Sequence, residues 1–174
     1  MKRIISVCGS DGSDDYLSRY ALEAAENVGR FIARRGGVVI CGGRGGIMKA
    51  VCKGAKEENG ITVGILPESK EEANDYIDIP IVTGLGHRRN FLIVDTAEAV
   101  IAIGGRWGTL NEISFSMVFE KPLILIKGTG GCVDDIINGQ IMQDIESSYY
   151  VAESAETAVK KAFECFKNPY KPSN

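Results

Sequence analysis

Val39-Ile40-Cys41-Gly42-Gly43-Arg44-Gly45-Gly46-Ile47-Met48 and Ile101-Ala102-Ile103-Gly104-Gly105-Arg106-Trp107-Gly108-Thr109-Leu110-Asn111-Glu112 share one pattern. In each, an apolar run passes through a glycine-rich turn into a helix. Unalternating apolar runs mark strands buried on both faces, and strand–turn–helix is the repeating unit of a parallel sheet. Glycine lets the backbone come close to an anion, while a helix start offers unpaired N–H groups at the positive end of its dipole. Two such starts in one small chain are expected to hold a phosphorylated ligand.

The same alternation extends in both directions. Strands are expected at Ile4–Cys8, Val38–Cys41, Ile61–Leu66, Ile79–Val82, Ala99–Ile103, Leu123–Ile126 and Ser148–Val151. A first helix carries Tyr20, Ala21, Ala24, Ala25, Val28, Ile32 and Ala33 on one face and stops at Gly36-Gly37. Further helices are expected over Met48–Glu57, His87–Asp95, Thr109–Phe119, Val133–Gln140 and Glu156–Phe166, and an exposed acidic loop over Glu68–Asp78 near the ligand mouth. The fold class is therefore α/β: a single-domain, doubly wound, mainly parallel sheet with helices on both faces. Residues 1–168 form that domain and 169–174 a flexible tail. Ligands in such sheets bind beyond the carboxyl ends of the strands, where both glycine turns fall.

Composition narrows the function. The chain has 174 residues, 44% of them apolar, which suits one domain with a real core. Its formal charge of −3 comes without a long run of Lys and Arg, against DNA or RNA as a partner. Cys8, Cys41, Cys52, Cys132 and Cys165 are scattered, and His87 is the only histidine, so no metal site is expected. Cys8 and Cys41 read as core thiols. The amino-terminal segment lacks a secretory signal and no apolar run is long enough to cross a membrane, so a cytoplasmic protein is expected.

Neither glycine turn is the Gly-x-Gly-x-x-Gly dinucleotide fingerprint, and no Gly-Lys-Ser/Thr ending marks a nucleoside triphosphatase. The expected ligand-binding set is Gly9 and Ser10, then Gly42, Gly43, Gly46 and Met48, then Gly105, Arg106, Gly108 and Thr109. Thr109 either donates its hydroxyl to a phosphate or caps its own helix. Glu112, three residues on, either completes a capping box or faces a cationic sugar transition state. Arg89 clamps a phosphate or pairs with Glu112, unless Arg88-Arg89 is surface charge. Arg106 adds a cation beside the phosphate or fills the ligand's space, and Trp107 stacks on a base or packs.

Gly105, Gly108, Thr109 and Glu112 resemble the Pro-Gly-Gly-x-Gly-Thr-x-x-Glu motif of the "lonely guy" phosphoribohydrolases, often mislabelled lysine decarboxylases. Gly42, Gly43, Gly46 and Met48 resemble that family's earlier Gly-Gly-Gly-x-x-Gly-Leu-Met turn. The resemblance covers Ile4 to Ile126 and implies a cytosolic Rossmann-like fold that releases a base from a nucleoside 5'-monophosphate. It makes Arg89 and Glu112 the catalytic pair and implies a homo-oligomer, a dimer or tetramer, with Phe115, Met117 and Phe119 at a subunit face. Gly104 stands where the motif has proline, Arg106 replaces its second glycine and Asn90 replaces a lysine. The short Cys41–Gly46 turn and the Arg89-Asn90 pair are closer to a sister branch that includes molybdenum-cofactor carrier proteins. The expected function is binding of a nucleotide or phosphorylated cofactor, with phosphoribohydrolysis as the alternative. No cofactor is required; the ligand is a nucleoside monophosphate or a phosphorylated pterin-type molecule.

Overall fold

A computed structural model of the chain describes residues 1–12, 17–141 and 149–165. Its strands are Ile4–Gly9 (β1), Val38–Cys41 (β2), Ile61–Leu66 (β3), Ile79–Val82 (β4), Ala99–Ile103 (β5), Leu123–Ile126 (β6) and Tyr149–Ala152 (β7). Its α-helices are Arg19–Arg34 (α1), Gly46–Glu57 (α2), Asn90–Thr96 (α3), Trp107–Val118 (α4), Gly131–Ile137 (α5) and Ala155–Glu164 (α6). Short 3-10 turns occupy Lys70–Glu72 and Gly86–Arg89, the second taking the start of what the sequence reads as one helix from His87. Ser148, Phe166 and the expected tail fall outside the described residues.

The strands form one seven-stranded sheet in the order β4-β3-β2-β1-β5-β6-β7. Every pairing is parallel. The chain winds outward from β1 in one direction and from β5 in the other, so the order reverses between these two strands. At such a switch point the connections diverge to opposite faces and leave a crevice at the carboxyl edge.

Two-residue alternation splits the core. Ile5 and Val7 of β1, with Val39 and Ile101, pack under α1, α2 and α6. Cys8, Val100, Ala102, Leu123 and Leu125 face Ile113 of α4 and Val133 and Ile136 of α5. Ile40 and Ile65 meet Ile93 of α3. This is a Rossmann-like doubly wound fold, and among the described residues no helix is long and apolar enough to cross a membrane.

All five cysteines are buried and unbridged. Along α3 and α4, Phe115 stacks on Phe119 with centroids 5.5 Å apart and meets Phe91 edge-on at 6.3 Å.

Helices α1 and α2 approach closely because Gly29 and Gly54 sit at their crossing. A Cβ on Gly54 would fall inside the contact radius of the Glu26 carbonyl oxygen, and one on Gly29 would meet that of Val51. Both obstacles are backbone, which cannot rotate away. Gly54→Ala is therefore expected to lower stability by about 1–3 kcal/mol despite alanine's better helix propensity. Urea unfolding checks this; an unchanged midpoint would mean that the helices separate freely.

Candidate functional site

The carboxyl ends of β1, β2 and β5 open on a cleft of about 250 Å3. Gly9 and Ser10 enter it from the end of β1, and Gly42 and Met48 from the turn into α2. Arg89 comes from the 3-10 turn, and Arg106, Gly108, Thr109 and Glu112 from the start of α4. Arg44 and His87 line it as well. One small volume thus holds three arginines against two carboxyl groups, Glu112 and Asp11, a surplus of positive charge that attracts an anion.

The two glycine turns differ in what they offer. At the first, the Gly43 N–H donates to Cys41 Sγ at 3.4 Å, and the Ile47 N–H donates to the Ser10 carbonyl at 2.9 Å. The Gly43 carbonyl accepts from Asn74 twice, from its N–H at 2.9 Å and from Nδ2 at 3.0 Å. These groups hold the turn in place and point into protein. Gly42 matters through its missing side chain, since a Cβ there would lie 2.9 Å from Met48 Sδ and 3.2 Å from Arg89 Nη2.

The start of α4 is the open one. Arg106 is its N-cap residue, and no side chain caps the helix. A Cβ on Gly108 would meet nothing within 4 Å, so the first turn faces free space. Its amides are available to water or to an anion. The capping box envisaged between Thr109 and Glu112 does not form, because the helix begins two residues earlier than the sequence suggests, at Trp107. Gly105 lies beside Thr109, and its carbonyl accepts from the Cys132 N–H at 2.8 Å. Gly46 packs against Ser10.

Glu112 and Arg89 are both buried, at 8% and 4% exposure. Burial pushes the Glu112 carboxyl up to about 8, against the opposing pull of the Arg89 charge. The carboxyl is therefore mostly protonated at neutral pH. Burial likewise draws the Arg89 guanidinium down, with Glu112 resisting the change and Arg44 adding to it. Arg89 donates from Nε to the Ile65 carbonyl at 2.7 Å, from Nη1 to Gly86 at 2.9 Å and from Nη2 to Gly42 at 3.4 Å. Arg89 is thus a structural tie as well as a cation. Beside it, Asn90 Nδ2 donates to Asn111 Oδ1 at 3.0 Å and joins α3 to α4.

Arg44 is a cleft residue that the sequence reading left without a role. It pairs with Asp11 at 3.5 Å across the mouth. Its signal was a lone charge inside Gly-Gly-Arg-Gly-Gly, where a cation meets any anion held by the turn.

A doubly wound α/β domain with a cationic cleft at its switch point belongs to the broad class that binds phosphorylated small molecules. The chain itself belongs to the SLOG cluster4 family, whose model matches residues 2–160. An uncharacterized protein of Archaeoglobus fulgidus is 41% identical over 130 residues, covering 71% of this chain and 83% of that protein. A cytokinin riboside 5'-monophosphate phosphoribohydrolase of Mycobacterium tuberculosis is 32% identical over 119 residues, 63% of this chain and 64% of that protein. The molybdenum cofactor carrier protein of Chlamydomonas reinhardtii superposes with a TM-score of 0.82 at 29% identity, covering 97% of this chain and 100% of that one.

Proposed function

We propose that the cleft binds the phosphate of a nucleoside 5'-monophosphate and that the protein hydrolyses its N-glycosidic bond. The carrying observation is Glu112, a buried carboxyl in a cleft lined by Arg44, Arg89 and Arg106. The first turn of α4, with Arg106 and Arg44, receives the 5'-phosphate and leaves C1' facing Glu112. Similarity to a phosphoribohydrolase over most of the chain supports this reading.

A carboxyl held near 8 suits the reaction in its protonated form. As the C1'–N bond breaks, its electron pair leaves with the base, which takes the Glu112 proton. The carboxylate left behind faces the cationic sugar, where it stabilises the transition state more than the ground state. It then accepts a proton as water adds to C1'. The products are free base and ribose 5-phosphate, and Glu112 is again protonated. Arg89 acts as a positioning residue that sets the field on Glu112.

The test is incubation of the purified protein with purine nucleoside 5'-monophosphates, followed by chromatography of free base and assay of ribose 5-phosphate. The proposal expects equal molar release of both. Release undiminished in Glu112→Gln would remove the mechanism.

A second reading is favoured by the end-to-end similarity to a cofactor carrier and by Arg106 in the motif. Here the same cradle retains a phosphorylated pterin-type ligand without turnover. Mass spectrometry of the supernatant after denaturing the purified protein would reveal such a ligand intact.

A further inference from the structure

We propose that the ring end of the ligand enters a second cavity beside the cleft, where the Asp135 carboxylate receives the paired N–H donors of a 2-aminopyrimidin-4-one ring. That edge is shared by guanine and the pterins. The inference rests on the phosphorylated-ligand reading and goes beyond it by naming the ring.

This second cavity has a volume of about 400 Å3, within the usual range for small-molecule sites. Ser10, Arg106 and Trp107 line both it and the cleft, so the two spaces share a wall. A ligand anchored by its phosphate at the start of α4 therefore has the second cavity within direct reach. Leu17, Leu110 and Ile141 make much of its lining apolar, and Asp135 is the single carboxylate among its described lining residues. Cys132, a further lining residue, registers that charge: its thiol is pushed up to about 12, by burial first and Asp135 second.

Asp135 is half-buried, and its carboxylate oxygens accept hydrogen bonds from whatever donors a ligand brings into the cavity. Its best complement is two parallel N–H groups spaced to meet both oxygens. Guanine and pterins offer that pair from a ring N–H and the adjacent amino group. Hypoxanthine keeps the ring N–H but lacks the amino group. Adenine offers one amino donor beside a ring nitrogen whose lone pair faces the carboxylate, an unfavourable meeting. Trp107 completes the site: its side chain stands 81% exposed at the shared rim, open to stack on a planar ring.

The experiment measures dissociation constants of GMP, IMP, AMP and ribose 5-phosphate by calorimetry, for the wild-type protein and Asp135→Ala. Trp107 is the only tryptophan, so its fluorescence reports occupancy of the rim. GMP is expected to bind about 10–100-fold more tightly than IMP or AMP and to quench Trp107. Asp135→Ala should close that gap while leaving ribose 5-phosphate affinity unchanged. Equal affinity for GMP and IMP in the wild-type protein overturns the inference without any variant having to fold. A gap that survives in Asp135→Ala overturns it too, and retained ribose 5-phosphate binding then shows the phosphate reading standing alone. Loss of ribose 5-phosphate binding in the wild-type protein sinks both. A 6-hydroxymethylpterin phosphate arm separates the two sources: tighter binding than GMP and recovery intact assigns a pterin, whereas cleavage of GMP to guanine assigns a nucleotide.

Discussion

Arg89→Ala is expected to destabilise the protein by about 3–5 kcal/mol, among the largest effects of a point substitution. Arg89 is 4% exposed, and its guanidinium reaches three carbonyls, those of Ile65, Gly86 and Gly42. These mark the end of β3, the 3-10 turn and the end of β2, segments far apart in the chain that must converge to close the cleft floor. Removing the side chain leaves buried acceptors unpaired, and each bond to a charged group is worth about 1.5–3 kcal/mol. Arg89→Lys should recover only a small part, because an ammonium on a flexible stem cannot span three directions as a planar fork does. Urea unfolding at neutral pH checks the loss as a lowered midpoint at constant slope. A midpoint equal to that of the wild type would show that the three carbonyls find other donors. In whatever fraction remains folded, Glu112 loses the cation that opposes its burial, so its titration should move still higher.

The architecture was readable because the strands carry their own signal. Val38–Cys41 and Leu123–Ile126 are buried at every position, and such runs read as central strands of a parallel sheet whatever surrounds them. Cleft residues on local motifs were readable for the same reason. Gly108, Thr109 and Glu112 sit at fixed offsets from a strong strand, and helical geometry carries them to one place.

What escaped the sequence depends on partners far along the chain. Arg89 reads as a phosphate clamp, a partner of Glu112 or surface charge until the Ile65 carbonyl, 24 residues away, is seen to accept from it. The loop Glu68–Asp78 reads as polar and exposed, yet within it Asn74 Nδ2 donates to the Gly43 and Arg44 carbonyls and fixes the first glycine turn. An asparagine in a polar loop carries the same local signal whether it turns the chain or braces a neighbour. The choice between capping box and open cleft for Glu112 also turned on where α4 starts, a matter of two residues.

Glu112→Gln is expected to reduce base release by about 10²–10⁴-fold while raising the stability of the ligand-free protein at alkaline pH. Both effects come from one buried proton. The carboxyl titrates near 8 in the fold against an ordinary value of 4.5, so the folded chain holds a proton that the unfolded chain has lost throughout that interval. Stability therefore falls as pH rises from about 4.5 toward 8, by about 1.4 kcal/mol per pH unit where the slope is steepest, and levels off above. Glutamine keeps the shape and cannot ionise, so the variant should lose this component of the decline. Its advantage should be nil below about pH 4.5 and greatest above pH 8, as read from thermal unfolding across the range. Activity should move the other way. With a protonated Glu112 as the required form, wild-type kcat/KM falls on an alkaline limb centred near 8, and the residual activity of the variant lacks that limb. If the variant instead turned over at the wild-type rate while still gaining stability at high pH, Glu112 would be a buried acid that shapes the cleft without touching the reaction, and the proton for the leaving base would have to come from another group.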